Sequence, residues 1–407
     1  MRQRQPAKEY NTTRYINYLL VAYAFVTPVS RAGIVFFTAL MLLVWFTDKR
    51  FGTIWEQLKR NRFILILSLF ILYNFISLLW SDAIPEGLQY IKRYWYLSAI
   101  PVIYTSVQKR YIPYMVSAFL LGMLISEIIS YGIFFEWWHF KNVPPQMPTP
   151  FMHHIHYSLF LAFTALLLLN RIFQIENLRW KIAYIFYFCF VTINLFVNGG
   201  RTGQLAFIIT LFVVGLLNMK HKLQAFVLMA LIAFGTLTLA YYFSPNFQAR
   251  VDAGRADAAK IVKQHNFCDS FGRRVAVWII ASEIVREHPL TGVGVSDAMS
   301  VMRTHIDTSH PNMQCVKDMP HFHNEIVQLA VQLGIPGVIL YLLLFYTLLT
   351  MKIRQPEYRN LAIIFVMTYT IASMFETVFH EQFTLALFAL FAGILLAVKR
   401  TEQEDAA

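Results

Sequence analysis

Charge is scarce in this chain. Only 14% of the 407 residues are Asp, Glu, Lys or Arg, while 57% are hydrophobic and the mean hydropathy is +0.49. That balance excludes an ordinary water-soluble enzyme and specifies an integral membrane protein. Two motif families are absent as well. Gly-x-x-x-x-Gly-Lys-Ser/Thr does not occur, and Gly292-Val293-Gly294 lacks the rest of any nucleotide fingerprint, so ATP is not implied and the energy for a reaction must come from the substrate. Asp-x-Asp is missing too, which removes the usual oxygen-ligand signature for Mg or Mn. Cysteine is sparse: Cys189, Cys268 and Cys315 allow at most one disulfide.

What fills the chain is apolar sequence. About twelve runs, each near the length of roughly 20 residues that crosses a bilayer as a helix, recur from end to end. The sequence therefore predicts an all-α integral membrane fold of about twelve transmembrane helices. Basic residues punctuate it at every second loop: Arg2, Arg4, Lys8 and Arg14, then Lys49, Arg50, Lys59, Arg60 and Arg62, then Lys109 and Arg110. The series continues with Arg171, Arg179 and Lys181, then Lys220 and Lys222, then Lys352, Arg354 and Arg359, then Lys399 and Arg400. Cytoplasmic loops hold an excess of Lys and Arg, so both termini are expected inside, and the net charge of +12 reports topology rather than nucleic-acid binding. The first apolar segment lacks a small-residue cleavage site, so no cleavable signal peptide is expected.

Three regions follow: transmembrane helices in 1–242, an outside loop in 243–324, and further transmembrane helices in 325–407. The loop is rich in Phe and Ile, and Arg274 to Glu287 has amphipathic helical spacing, ended by Pro289, Gly292 and Gly294. A small helical cap over the outer mouth is expected. Pro85 to Tyr96 is a further amphipathic stretch, placed at the outer interface. Cys189, mid-membrane, reads as packing. Cys268 and Cys315 share the outside loop, where they either pair or remain two thiols.

Ionisable groups near the outer face are the site candidates, because charge at membrane depth is kept for function. Arg201 lies in Asn198-Gly199-Gly200-Arg201-Thr202-Gly203, where glycines let backbone N–H groups approach a ligand and a guanidinium fork suits a phosphate. The alternative is an interfacial turn with a snorkelling arginine. Arg273 and Arg274 open the amphipathic helix. Adjacent residues cannot share a helical face, so one points at the bundle and the other at solvent; periodicity does not decide which. His323 starts an apolar helix, followed by Asn324, Gln328 and the Gly334-Ile335-Pro336-Gly337 kink. It reads as a proton acceptor, or as a histidine satisfied by a backbone carbonyl. His321 forms a His-x-His pair with it, and His153, His154 and His156 cluster elsewhere. The His153 set has no close carboxylate in sequence, the His321–His323 pair is similarly weak as a metal signature, and no metal is expected.

These residues carry a resemblance. His323-Asn324, nine residues and then Gly334-Ile335-Pro336-Gly337 is similar to the pattern of bacterial O-antigen ligases, as are Gly200-Arg201-Thr202-Gly203 and Arg274-x-x-x-Trp278 followed by His288-Pro289-Leu290-x-Gly292-Val293-Gly294. The resemblance covers about residues 185–345. It implies a membrane glycosyltransferase of GT-C-like fold, at the periplasmic face of the bacterial inner membrane, with no cofactor, nucleic acid or ATP. Such an enzyme moves a glycan from undecaprenyl diphosphate to a sugar hydroxyl of the lipid A core among membrane lipids, with inversion and without a metal. Arg201 and Arg274 would hold the diphosphate, His323 would take the acceptor proton, and Asn324, Gln328, His321 and Arg273 would support them. An O-antigen polymerase shares donor and arginines, a protein O-glycosyltransferase usually has a large outside domain after the last helix, and a secondary transporter would show repeats between halves.

Overall fold

The computed structural model describes residues 11–48, 51–264 and 267–406. Arg2, Arg4, Lys8, Lys49 and Arg50, part of the charge pattern, lie outside the described residues. The first helices are α1 (Asn11–Val26), α2 (Arg31–Phe46), α3 (Phe51–Lys59), α4 (Arg62–Ile76), α5 (Ile84–Lys92), α6 (Ala99–Ser106) and α7 (Ile112–Phe134). Next come α8 (His154–Gln174), α9 (Leu178–Val197), α10 (Arg201–Asn218) and α11 (Lys222–Phe243). The segment expected outside folds as α12 (Pro245–Gln264), α13 (Ser270–Glu287) and α14 (Ala298–Ser309). The chain ends with α15 (Glu325–Leu349), α16 (Pro356–Ser373) and α17 (Gln382–Glu404). No β-strand occurs among the described residues.

Eight helical stretches among the described residues are long and apolar enough to cross a membrane. They contain α4, α7 to α11, α15 and α17. The other expected spans differ for physical reasons. Helices α1 and α2 have 16 residues each, about 24 Å of rise against a hydrocarbon core of about 30 Å. The apolar run at 90–107, one of the twelve, is broken into the end of α5, a 3₁₀ stretch Arg93–Ser98 and the eight-residue α6.

Helix α17 runs through the centre of the bundle, buried from Phe383 to Val398. Its Phe388 ring lies 4.6 Å from Phe379 and 5.5 Å from Phe365, and α8 is buried almost as completely. Helix α9 behaves oppositely, with most of its surface turned outward. Cys189 on it is exposed, so the expected packing role is not seen. Amphipathicity cannot orient a helix that is apolar all round.

A second, smaller apolar core lies between α13, α14 and the loop before α15. It gathers Val277, Ile280, Ile284, Met302, Ile306, Phe322 and Val331. The helix expected from Arg274 to Glu287 is there as α13, ending at Glu287 before Pro289. Cys268 and Cys315 are disulfide-bonded with Cα atoms 5.6 Å apart, tying the start of α13 to the far side of this core. Closing a loop of 47 residues' separation stabilises by roughly 3–5 kcal/mol in the chain-entropy description.

Candidate active site

The junction before α15 sets the geometry. Asn324 is the N-cap: its side-chain oxygen accepts from Val327 N–H at 3.1 Å, and its amide donates to the Met374 carbonyl at 3.0 Å. That second bond fastens the start of α15 to the turn between α16 and α17. His323, immediately before the cap, has φ of +50°, a left-handed conformation that histidine visits more readily than most residues. The turn throws its imidazole towards the α16–α17 connection, where Nδ1 lies 3.3 Å from Glu376 Oε2. The other carboxylate oxygen lies 3.5 Å from His321 Nε2 and accepts from Thr377 N–H at 3.0 Å. The His323 backbone N–H donates to His321 Nδ1 at 3.2 Å. His321 therefore accepts at Nδ1, so in its neutral form the proton sits on Nε2, facing the carboxylate.

Glu376 is only 2% exposed. Burial alone would raise its pKa, but the His323 hydrogen bond, the neighbouring imidazoles and Thr377 N–H outweigh it and hold the carboxyl down at about 2. His321 moves the other way for a histidine. Burial pushes it down to about 4 against the pull of Glu376, so near neutral pH the cluster is an ionised carboxylate beside a neutral His321. His323 Nδ1–H donated to that carboxylate would leave Nε2 as the basic nitrogen.

The arginines lie beside this cluster. Arg201 is the first residue of α10, and its Nη2 donates to Ser270 Oγ, the first residue of α13, at 2.9 Å. Arg274 follows one turn along α13. Together with Thr202, Trp278 and Phe375 they line a cavity of about 200 Å³. Two contacts join cavity and histidine: Trp278 Nε1 donates to the Phe322 carbonyl at 2.7 Å, and Phe375 precedes Glu376. Burial lowers the Arg274 pKa while Glu376 raises it, and a guanidinium remains charged throughout. Arg273 does not line this cavity, and its Nε is buried without a hydrogen-bond partner. The undecided choice between the adjacent arginines thus falls on Arg274.

The glycine motifs work through packing. A Cβ at Gly200 would come within 2.3 Å of Ser158 Cβ, and one at Gly203 within 2.1 Å of the Ser158 carbonyl oxygen. These glycines let α10 press against α8, with Gly203 N–H donating to Ser158 Oγ at 3.1 Å, which corrects the expectation that they open the backbone to a ligand. At the kink of α15, Gly334 has φ of +67°, and Ile335 N–H leaves the helix to donate to the Pro289 carbonyl at 2.9 Å. In return Val293 and Gly294 N–H donate to the Val331 and Gln332 carbonyls. The Gly292-Val293-Gly294 segment is thus a backbone splint for the broken turn.

Gln328 also supports the junction. Its Oε1 accepts from Phe322 N–H at 3.2 Å. The His153 and His154 rings lie 4.1 Å apart, tilted by 44°, at the entrance of α8. Burial lowers the His153 pKa, partly opposed by Glu376. The residue that sequence reasoning missed is Glu376, 53 positions from His323. An acidic group at the seam of two apolar runs was its only signal. With Glu376 present, His321, His323 and the carboxylate place three ligand atoms within 4.8 Å of one another. Two imidazoles and a carboxylate are a donor set that zinc accepts, so the geometry alone admits either a hydrogen-bonded triad or a cation site.

Residues 185–342 match the family model described as O-Antigen ligase. This stretch of the chain is similar to the O-antigen ligase/polymerase superfamily. Arg201, Arg274 and His323 fall within the matched O-antigen ligase segment, whereas Glu376 lies beyond its end. No curated protein matches the chain. That similarity supports an O-antigen ligase or polymerase type of function in lipopolysaccharide biosynthesis, with a lipid-linked glycan as donor in general.

Proposed function

We propose that the protein is an O-antigen ligase that transfers glycan from undecaprenyl diphosphate to a sugar hydroxyl of the lipid A core. The observation that carries this reading is the two-arginine cavity of about 200 Å³ abutting the His323–Glu376 pair. Arg201 and Arg274 bind the donor diphosphate by charge-assisted hydrogen bonds and stabilise the charge it gains on leaving. His323 takes the proton of the acceptor hydroxyl. The acceptor oxygen then bonds to the anomeric carbon from the face opposite the phosphate, and the bond between that carbon and the phosphate oxygen breaks. Its electron pair leaves on the diphosphate, which gives inversion. General-base action of this kind contributes about 10² to 10⁴ in rate.

The same proposal fixes the setting. The fold is GT-C-like and crosses the bacterial inner membrane about twelve times, α1, α2, α16 and the broken α5–α6 stretch adding to the eight long spans. Both termini are cytoplasmic, residues 243–324 form a periplasmic cap, and the reaction takes place at that face. Basic loops alternating with apolar runs support this orientation.

The test is transfer of a tagged glycan from undecaprenyl diphosphate to lipid A core by purified protein, wild type against His323→Ala, with folding checked by thermal melting. Product on lipid A core that disappears in the folded variant is expected. Longer lipid-linked chains without a lipid A product would make the enzyme a polymerase, and an unconsumed donor would overturn the glycosyltransferase reading.

A further inference from the structure

A second cavity, of about 600 Å³, opens at the other end of the bundle. It lies where α4 begins and where α15 and α17 finish, whereas His323 stands at the start of α15. The 25 residues of α15 separate the two by about 37 Å, so this cavity takes no part in the chemistry proposed above. Its rim carries Arg60, Arg62, Lys399 and Arg400, and its walls include Tyr346 and Leu396.

The cations are unevenly committed. Arg400 donates to Glu404, the carboxylate in the lining, at 3.0 Å, and also to the Val107 carbonyl. Arg60, Arg62 and Lys399 have no carboxylate within salt-bridge distance among the described residues. Three uncompensated cations therefore converge on one concavity with apolar walls, at the end of membrane-spanning helices. Topology alone asks only that basic residues sit in this face's loops, as Arg179, Lys181 and Lys220 do without lining the cavity.

We propose that this cavity binds the phosphodiester headgroup of an anionic membrane phospholipid. The guanidinium groups and the ammonium meet the phosphate oxygens, and the apolar walls meet the upper acyl chains. Basic recesses between transmembrane helices at a membrane surface select anionic headgroups by this combination of charge and shape. A free phosphate would satisfy the cations and leave the apolar walls unused.

The test reads binding, with no glycan present, so its failure leaves the transfer reaction untouched. Full-length protein in zwitterionic phosphatidylcholine nanodiscs is titrated with phosphatidylglycerol and scored by native mass spectrometry. Wild type is expected to prefer phosphatidylglycerol to phosphatidylcholine about tenfold or more, as three convergent cations imply. In Arg60→Gln/Arg62→Gln/Lys399→Gln the preference is expected to fall to within about threefold. Arg179→Gln/Lys181→Gln/Lys220→Gln removes the same charge from the same face and is expected to keep it, which also controls for altered insertion. Equal loss in both triples, or no preference in wild type, would overturn the site. Displacement of the bound lipid by millimolar inorganic phosphate would assign the cavity to a free anion and overturn the lipid.

Discussion

Replacing Glu376 with glutamine isolates what its charge does, because the side chain keeps its volume and one acceptor oxygen. In the native protein the carboxylate takes Nδ1 of His323 at 3.3 Å and stands 3.5 Å from His321 Nε2, at 2% exposure. If His323 accepts a proton at Nε2 during transfer, the imidazolium it becomes is stabilised by a buried anion at Nδ1. A hydrogen bond to a charged group contributes about 1.5–3 kcal/mol, so the variant should lose roughly 10- to 150-fold in kcat. KM for the donor should stay within about twofold, since Glu376 does not line the arginine cavity. Glu376 is thus a positioning residue, and the decisive readout is the combination of variants. His323→Ala/Glu376→Gln should be no slower than His323→Ala alone, because the carboxylate acts only through the imidazole. The assay is glycan transfer to lipid A core by purified protein. A glutamine variant with native kcat, or one whose loss lies wholly in KM, would refute the reasoning.

Further outcomes follow from other parts of the site. Arg201→Lys keeps charge but loses the planar fork and the Ser270 bond at 2.9 Å, and kcat/KM should drop by about tenfold or more; native kinetics would remove Arg201 from the site. EDTA treatment should leave transfer intact, and activity lost to chelation but restored by zinc or manganese would turn His321, His323 and Glu376 into a cation site. Gly334→Ala would set a Cβ 2.6 Å from the Leu290 backbone at φ of +67°. A cost of roughly 2–3 kcal/mol should appear as a lower melting temperature in detergent, and an unchanged melt would contradict the strained kink. Acid should loosen the junction before α15. His321 is held at about 4 by burial, against about 6.5 when exposed, so the closed state binds fewer protons than the opened one. Its stabilisation is complete above about pH 6.5 and fades as pH falls towards 4, by roughly 3 kcal/mol in all. Glu376, held near 2, keeps its own contribution down to about its ordinary value of 4.5 and loses it as pH falls from there towards 2. Amide-exchange protection at Phe322 and His323, corrected for intrinsic rates, should therefore drop between pH 7 and 4.5; flat protection would contradict the buried neutral His321.

Local pattern carried much of this protein. Scarce charge and long apolar runs determined the membrane class, because hydropathy is a sum over neighbours in sequence. The spacing from Arg274 to Glu287 determined α13, and Gly334-Ile335-Pro336-Gly337 determined the break in α15, because backbone conformational preference is also local. Arg201, Arg274 and His323 could be picked out as site candidates for the same reason, each standing where a polar turn meets an apolar helix. Tertiary structure decided the rest. Which of Arg273 and Arg274 lines the cavity depends on how α13 packs against α12, α14 and α15, and the role of Gly200 and Gly203 depends on Ser158 of α8 approaching them. The pairing of Cys268 with Cys315 needed the fold to bring their Cα atoms to 5.6 Å. Glu376 meets His323 only because the α16–α17 turn is held beneath the α15 cap by Asn324 and the Met374 carbonyl. Sequence periodicity records what one helix presents; which helix presents it to which is set by packing of the whole bundle.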